Sequence, residues 1–148
     1  MDIVYRKAVR GDIPAIEKLF MEMLRSVNSC EDAAGYEDGY LNKFFSESGG
    51  VIYVSEAEGG VIGYISVELH DSFIYLDDLS VAEKSRGKGI GTKLIEFAER
   101  YGRDKSVVTA VLHVEKSNEK AYRLYTRLGY AVTADEGSRY RMAKQLLR

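Results

Sequence analysis

Runs of apolar and β-branched residues along the chain predict its strands. The clearest signal is a pair of such runs, residues 51–57 and 61–69, joined by Glu58-Gly59-Gly60, which predicts a hairpin. A near-continuous apolar run at 107–114 is typical of a strand covered on both faces. The predicted strands are residues 3–9, 51–57, 61–69, 73–81, 107–114, 130–134 and 139–146.

Apolar residues at helical spacing predict the helices between these strands. Asp12 has the position of an N-cap, and Pro14 lies in the first turn that follows it. Ser117 or Asn118 caps the last helix, which Gly129 ends. The apolar residues of the other helices are Ile16, Leu19, Phe20, Met23 and Leu24 in the first, Tyr40, Leu41, Phe44 and Phe45 in a short second one, and Leu94, Ile95, Phe97 and Ala98 in the third.

The resulting order of elements, β-α-α-β-β-β-α-β-α-β-β, predicts an α/β (α+β) fold. We expect a single domain over residues 1–148, because the chain contains no repeat and no low-complexity linker. The sheet is mixed and mostly antiparallel, with helices on both faces. The strand–helix–strand unit in its middle predicts a right-handed crossover between two parallel strands.

The composition narrows the class of protein. Of the 148 residues, 45% are hydrophobic and 30% are charged, as in soluble globular proteins. The formal net charge of −2 argues against a nucleic-acid partner, since dedicated nucleic-acid binding is accompanied by a basic surplus.

Cysteine and histidine are scarce. The one cysteine, Cys30, excludes an internal disulfide and a metal site built on thiolates, and His70 and His113 lack the spacing of metal ligands, so we expect no metal. No apolar run approaches the roughly 20 residues that span a bilayer. The first ten residues lack the apolar core of a signal peptide. We therefore expect a cytoplasmic protein that does not bind membranes.

A glycine loop, Arg86-Gly87-Lys88-Gly89-Ile90-Gly91, stands between a predicted strand and a predicted helix. Glycines let the backbone approach a ligand, and the first turn of a helix offers free N–H groups to an anion such as a pyrophosphate. Arg86 and Lys88 add positive charge, and Thr92 adds a hydroxyl. The alternative is a tight turn that needs glycine only for its dihedral angles.

Two familiar phosphate motifs do not match this loop. A Walker loop that begins at Gly87 needs a glycine at the position of Thr92, and the dinucleotide motif G-x-G-x-x-G needs one at the same place. A nucleotide-phosphate binder is therefore a weaker hypothesis.

The loop does match the pattern R/Q-x-x-G-x-G/A, at Arg86, Gly89 and Gly91. Residues 118–130 match a second pattern, N-x-x-A-x-x-x-Y-x-x-x-G-[FY]. With both blocks at the right spacing, the chain resembles the GNAT superfamily of acetyl-CoA-dependent N-acetyltransferases. The resemblance implies direct transfer of an acetyl group from acetyl-CoA to a primary amine, in a complex that holds both substrates.

The resemblance also implies where acetyl-CoA binds, in a gap between the fourth and fifth strands. Backbone groups of Leu79 and Val81 would pair with the pantetheine arm, and a backbone N–H near Leu79, at a bulge, would stabilise the developing oxyanion. Asn118 would contact the pantetheine arm besides capping its helix. The pyrophosphate would be held by the N–H groups of Arg86, Gly87, Lys88, Gly89, Ile90, Gly91 and Thr92.

Tyr125 matches the family's tyrosine near the coenzyme sulfur and would donate a proton to the departing thiolate. Its alternative role is that of a helix tyrosine packed on the core. The candidates for the group that takes the proton of the amine are Tyr75, Asp77 and His113. Tyr75 and Asp77 share one strand face if no bulge separates them, and Asp78 then points the other way. Each candidate also has a structural alternative, and a chain of waters can replace a base.

The acceptor amine is expected to be cationic, because an acidic and aromatic loop follows the first helix. A small amine, a protein N-terminus or a lysine would fit. Alternative functions are a catalytically silent acyl-CoA-binding or sensor module and the nucleotide-phosphate binder. Family members are often homodimers. The loop residues are Glu31, Asp32, Tyr36, Glu37, Asp38 and Tyr40.

Overall fold

A computed structural model describes residues 2–28, 35–46 and 48–147 of the chain. Its strands are β1 (Val4–Lys7), β2 (Gly50–Ala57), β3 (Gly60–Leu69), β4 (Phe73–Val81), β5 (Thr109–Glu115), β6 (Ala131–Asp135) and β7 (Arg139–Gln145). Its α-helices are α1 (Ile13–Asn28), α2 (Ile90–Asp104) and α3 (Glu119–Arg127).

The seven strands form one sheet in the order β1-β2-β3-β4-β5-β7-β6. All neighbours are antiparallel except β4 and β5, which are parallel and are joined through α2. The predicted mixed α/β fold with its central crossover is confirmed. The bounds of β4 are those that the sequence predicts.

Each face of the sheet carries its own core, because successive strand residues point to opposite faces. On β2, Val51 and Tyr53 pack in the core that contains Leu94 and Ile95 of α2. Ile52 and Val54 pack in the second core, with residues of α1 and of the 3₁₀ helix Tyr40–Phe45. The short second helix predicted from the sequence is this 3₁₀ helix.

Two predicted helix caps have different outcomes. Asn118 caps α3, since its side chain accepts a hydrogen bond from the backbone N–H of Ala121 at 3.2 Å. Asp12 does not cap α1. Its carboxylate faces back along the chain, where it accepts from the N–H of Val9 at 2.8 Å and pairs with the guanidinium of Arg6 at 2.8 Å. The guanidinium of Arg6 and the N–H of Val9 therefore occupy the carboxylate of Asp12, which leaves it unavailable to cap α1.

Helix α2 is tied to the far end of the sheet by a buried carboxylate. Glu99 accepts hydrogen bonds from the hydroxyl of Tyr130 at 2.9 Å and from Nζ of Lys144 at 3.0 Å. These bonds fix α2, and with it the glycine loop at its start, relative to β7. Among the described helices, none is long and apolar enough to cross a membrane.

Candidate active site

Strands β4 and β5 separate soon after they begin. They pair only where Phe73, Ile74 and Tyr75 face Thr109, Ala110 and Val111. Beyond that point β4 continues to Val81 and β5 continues to Glu115. The two strand edges therefore border a gap, which we call the β4–β5 gap.

The backbone of β4 presents free hydrogen-bonding groups to this gap. Ala82 donates its N–H to the carbonyl of Ile62 on the β3 side, and the register places Val81 opposite Gly63 and Leu79 opposite Ile65. Because bonded and non-bonded pairs alternate between antiparallel strands, the N–H and C=O groups of Leu79 and Val81 point away from β3. They face the β4–β5 gap, where the carbonyl of Val81 accepts from Nε of Arg86 and the other three groups could pair with an added extended chain.

A bulge in β4 lies next to these residues. Ser66 of β3 faces Asp78 and Val67 faces Leu76, which leaves Asp77 as the extra residue. The N–H of Asp78 donates to the side-chain oxygen of Ser66 at 3.0 Å. A bulge near Leu79 is therefore present, as the resemblance implies.

The bulge overturns one prediction about side-chain direction. The hydroxyl of Tyr36 donates to Asp78 at 2.6 Å, and the hydroxyl of Tyr40 donates to Asp77 at 2.5 Å. The rings of Tyr36 and Tyr40 stack with their centroids 5.0 Å apart, so both carboxylates lie on the same side of the sheet. The prediction that Asp78 points away from Asp77 is wrong, because the extra residue restores Asp78 to this face.

The glycine loop has the backbone of an anion site. Gly87 and Gly89 have φ angles of +81° and +77°, which favour glycine. An added Cβ at either position would meet no atom within 4 Å, so the loop is open on that side. Gly91 lies in the first turn of α2 with ordinary helical geometry, and only the side chain of Leu79 lies within 4 Å of its would-be Cβ, at 3.8 Å. The positive φ angles therefore explain why glycine stands at positions 87 and 89, and they do not explain Gly91.

The start of α2 leaves N–H groups without helical partners. Lys93 donates to the carbonyl of Gly89, so the N–H groups of Ile90, Gly91 and Thr92 precede the first bond of the helix. No side chain caps this end of the helix, which lies wholly within the described part of the chain. Nε of Arg86 donates to the carbonyl of Val81 at 3.1 Å, which holds the loop beside the edge of β4. These groups fit a pyrophosphate at the loop and an extended arm along the β4–β5 gap.

We expect Gly89→Ala to weaken acetyl-CoA binding by roughly tenfold or more, because a Cβ strains the left-handed cap and projects into the open side of the loop. Gly59→Ala is a matched control, since Gly59 has a φ of +79° and equally open surroundings in the β2–β3 turn. Calorimetric titration with acetyl-CoA measures both variants. Unchanged affinity in Gly89→Ala would contradict an anion site at the loop.

Tyr125 of α3, the helix that follows β5, packs against the core on the α2 side of the sheet. Its ring meets the ring of Tyr130 edge-on, with centroids 6.0 Å apart. Burial, then the negative charge of Asp78 and then the neighbouring Tyr75, together raise the pKa of Tyr125 to about 12. The phenol is therefore protonated at neutral pH, which is the state that a proton donor requires.

Two predicted site residues of neighbouring strands form a direct hydrogen bond. The hydroxyl of Tyr75 on β4 lies 2.7 Å from Nδ1 of His113 on β5. Burial, and then the negative charge of Asp77, raise the pKa of Tyr75. Asp77 itself contacts Tyr40 of the 3₁₀ helix, so the structure joins Tyr75 to His113 and sets Asp77 beside them with another partner.

Sequence reasoning missed one residue of this cluster. Nε2 of His113 lies 3.1 Å from Oε1 of Glu136, in the turn between β6 and β7. No motif contains Glu136, and only the pairing of β7 with β5 brings this turn to His113. In the acidic loop, Glu37 and Asp38 are exposed, and Glu31 and Asp32 lie outside the described residues, as does Cys30.

Known proteins share this sequence pattern and this fold. The sequence model of the acetyltransferase (GNAT) family matches residues 13–130. The uncharacterized N-acetyltransferase MJ1530 of Methanocaldococcus jannaschii is 31% identical over 129 residues, which are 86% of this chain and 78% of that protein.

Two solved structures superpose on nearly the whole chain. PaiA N-acetyltransferase from Thermoplasma acidophilum, in complex with coenzyme A, has a TM-score of 0.81 at 20% identity and covers 98% of this chain and 99% of its own. Naa50 from Arabidopsis thaliana, in complex with the bisubstrate analogue CoA-Ac-MVNAL, has a TM-score of 0.76 at 18% identity and covers 97% and 99%.

The family match and the architecture agree. The matched residues 13–130 include the glycine loop, the β4–β5 gap and the 118–130 block. The predicted enzyme class, an N-acetyltransferase with acetyl-CoA as co-substrate, is confirmed. The chain therefore belongs to the GNAT family of acetyltransferases, and its reaction is the transfer of an acetyl group from acetyl-CoA to an amine.

Proposed function

We propose that the acceptor is a cationic primary amine, and that Tyr75 and His113 together take up the proton that this amine loses. The observation that carries the proposal is the 2.7 Å hydrogen bond between the two residues, at the point where β4 and β5 separate. A primary amine has an ordinary pKa of about 10 and must lose a proton before it can attack a thioester.

Tyr75 and His113 divide this task by their chemistry. Burial raises the pKa of Tyr75, so its phenol is neutral and cannot act as a base alone. The phenol oxygen can accept a hydrogen bond from the amine while its own O–H donates to Nδ1 of His113. A proton from the amine then reaches the imidazole through Tyr75, and histidine is the side chain best suited to hold it near neutral pH.

The other residues act on the donor side of the reaction. Acetyl-CoA supplies the thioester carbonyl carbon, which forms the new C–N bond as its C–S bond breaks. The N–H of Leu79 faces the gap beside the bulge and is our candidate for the oxyanion donor. Tyr125 is our candidate for the acid that protonates the thiolate, and Asn118 and residues 86–92 are those that would hold the coenzyme.

The charge of the acceptor follows from the aspartates beside Tyr75. Among the described residues, neither Asp77 nor Asp78 has a cationic partner within ion-pair distance; the nearby Lys43 pairs with Glu68 at 2.7 Å. Burial, and then repulsion from Asp77, raise the pKa of Asp78 to about 6. A cationic amine would relieve this repulsion, whereas an anionic acceptor would increase it.

We expect Asp78→Asn to stabilise the protein at pH 7 and to slow transfer to cationic amines. The ordinary pKa of an aspartate is about 3.9, so the folded wild type holds its proton more tightly than the unfolded chain. The advantage of the variant should therefore grow from pH 4 to pH 6 and stay constant above. Melting temperatures across this range, with the exposed Asp38→Asn as control, measure the effect. An equal pH dependence in wild type and Asp78→Asn would contradict it.

An acceptor panel tests the proposed substrate class. Release of the coenzyme thiol from acetyl-CoA is measured with polyamines, lysine peptides, peptides with a free N-terminus, and amino acids whose carboxylate lies beside the amine. We expect the cationic amines to react fastest. Comparing the rates with polyamines and with peptides shows whether the acceptor is a small amine or a protein. A preference for the amino acids would overturn the proposal. Binding of acetyl-CoA with no transfer to any amine would favour the silent sensor module.

The remaining predictions concern the cellular location of the enzyme, its macromolecular partners and its domain organisation. We propose a cytoplasmic enzyme that acts without a nucleic-acid partner, which the net charge of −2 and the single cysteine support. That residues 1–148 form one N-acetyltransferase domain also stays a prediction, as does a homodimer.

A further inference from the structure

We propose that Glu136 is a positioning residue of the acetyl transfer. Its carboxylate holds His113 in the tautomer with the proton on Nε2, which leaves Nδ1 as the acceptor for the proton from Tyr75. The inference rests on the proposed roles of Tyr75 and His113.

Each ring nitrogen of His113 has one partner. Nε2 lies at ion-pair distance, 3.1 Å, from Oε1 of Glu136, and Nδ1 lies within hydrogen-bond distance, 2.7 Å, of the hydroxyl of Tyr75. A negative carboxylate repels the lone pair of an unprotonated ring nitrogen and attracts an N–H, so the hydrogen of a neutral imidazole belongs on Nε2. Nδ1 then carries the lone pair, and the O–H of Tyr75 donates to it. This order of carboxylate, imidazole and hydroxyl is the logic of a catalytic triad, with a phenol in the place of serine.

The turn that carries Glu136 is held in place independently of His113. The N–H of Glu136 donates to the carbonyl of Arg139 at 2.9 Å, and Nε of Arg139 donates to Oε1 of Glu136 at 3.2 Å. Lys116, just after β5, donates its N–H to the carbonyl of Ser138 and its Nζ to Asp135. The position of the Glu136 carboxylate therefore does not depend on its contact with His113.

Polar and charged groups surround His113 from four elements, and the effect of Glu136 has a predictable sign. Removing its carboxylate takes one negative charge from the imidazole while both arginines remain, which disfavours the protonated imidazole. The rate should then fall, and its acidic limb should move to lower pH. The groups in question are Tyr75 and Asp77 of β4, Glu136 of the β6–β7 turn, Arg139 and Arg141 of β7, and Glu115 further along β5.

The test compares Glu136→Gln with Glu96→Gln, the same change at an exposed glutamate of α2. We expect Glu136→Gln to lower kcat by roughly 10- to 100-fold, with the KM for acetyl-CoA unchanged and the acidic limb of the pH profile at lower pH. Glu96→Gln should behave like the wild type. Equal melting temperatures of the two variants show that both fold.

The tautomer is read without any substrate, from the ¹⁵N chemical shifts of the imidazole rings. The chain has two histidines, so His70→Gln assigns the signals. We expect His113 with its hydrogen on Nε2 in the wild type, and a mixture of tautomers in Glu136→Gln. A wild-type hydrogen on Nδ1, or a variant with unchanged tautomer and unchanged pH profile, would overturn the role of Glu136. If His113 variants keep full activity, the proposed function is wrong, whatever the tautomer shows.

Discussion

Replacing Tyr125 with phenylalanine is expected to lower kcat by about 100-fold or more and to change acetyl-CoA affinity little. The pKa of this half-buried phenol is raised to about 12, so the hydroxyl carries its proton at neutral pH. Without a proton donor the coenzyme must leave as an unprotonated thiolate, which raises the barrier of the reaction. A positioned acid typically increases the rate by 10²- to 10⁴-fold. Stopped-flow measurement of thiol release, together with calorimetric titration of acetyl-CoA, separates the two effects.

Tyr122→Phe is the matched control, because Tyr122 lies on the same helix and its ring packs against Tyr140. We expect this variant to keep the wild-type kcat. If Tyr125→Phe also keeps it, the assignment of the acid is wrong, and Tyr125 serves only to pack α3 against Tyr130.

Removing the proton relay is the second change with a large expected effect. We expect Tyr75→Phe and His113→Gln each to lower kcat by roughly 100-fold, because either change interrupts the path from the amine to Nδ1. The double variant should be little slower than the single ones, since residues that act as a unit give non-additive losses. The pH–rate profile of His113→Gln should also lose its acidic limb.

Two further variants keep this prediction specific. His70→Gln changes the other histidine, whose ring is exposed and stacks on Phe73, and should leave kcat unchanged. Asp77→Asn tests the remaining candidate base. A large loss in Asp77→Asn, combined with full activity in His113→Gln, would transfer the role of the base to Asp77.

Local signals made much of the fold predictable. The hairpin of β2 and β3 has a glycine-containing turn between two β-branched runs, and Asn118 has a free N–H to cap three residues later. The glycine loop is a strand-to-helix turn whose conformation depends on residues next to each other in the chain. Each of these features is determined within about ten residues of sequence.

The features that could not be predicted depend on distant partners. The bulge at Asp77 follows from how β3 and β4 pair, and Asp78 changes face because of it. Glu136 reaches His113 only because β7 lies between β5 and β6 in the sheet. No spacing within the sequence encodes these contacts.

The most direct test of the account is the melting temperature of the protein with acetyl-CoA, compared with ATP and with NAD. At 100 times its dissociation constant, a ligand of the folded state stabilises that state by about 2.7 kcal/mol, which is a clear rise in melting temperature. We predict this rise with acetyl-CoA and not with the other two. A rise with ATP or NAD and none with acetyl-CoA would contradict the assignment of the β4–β5 gap and the glycine loop as an acetyl-CoA site.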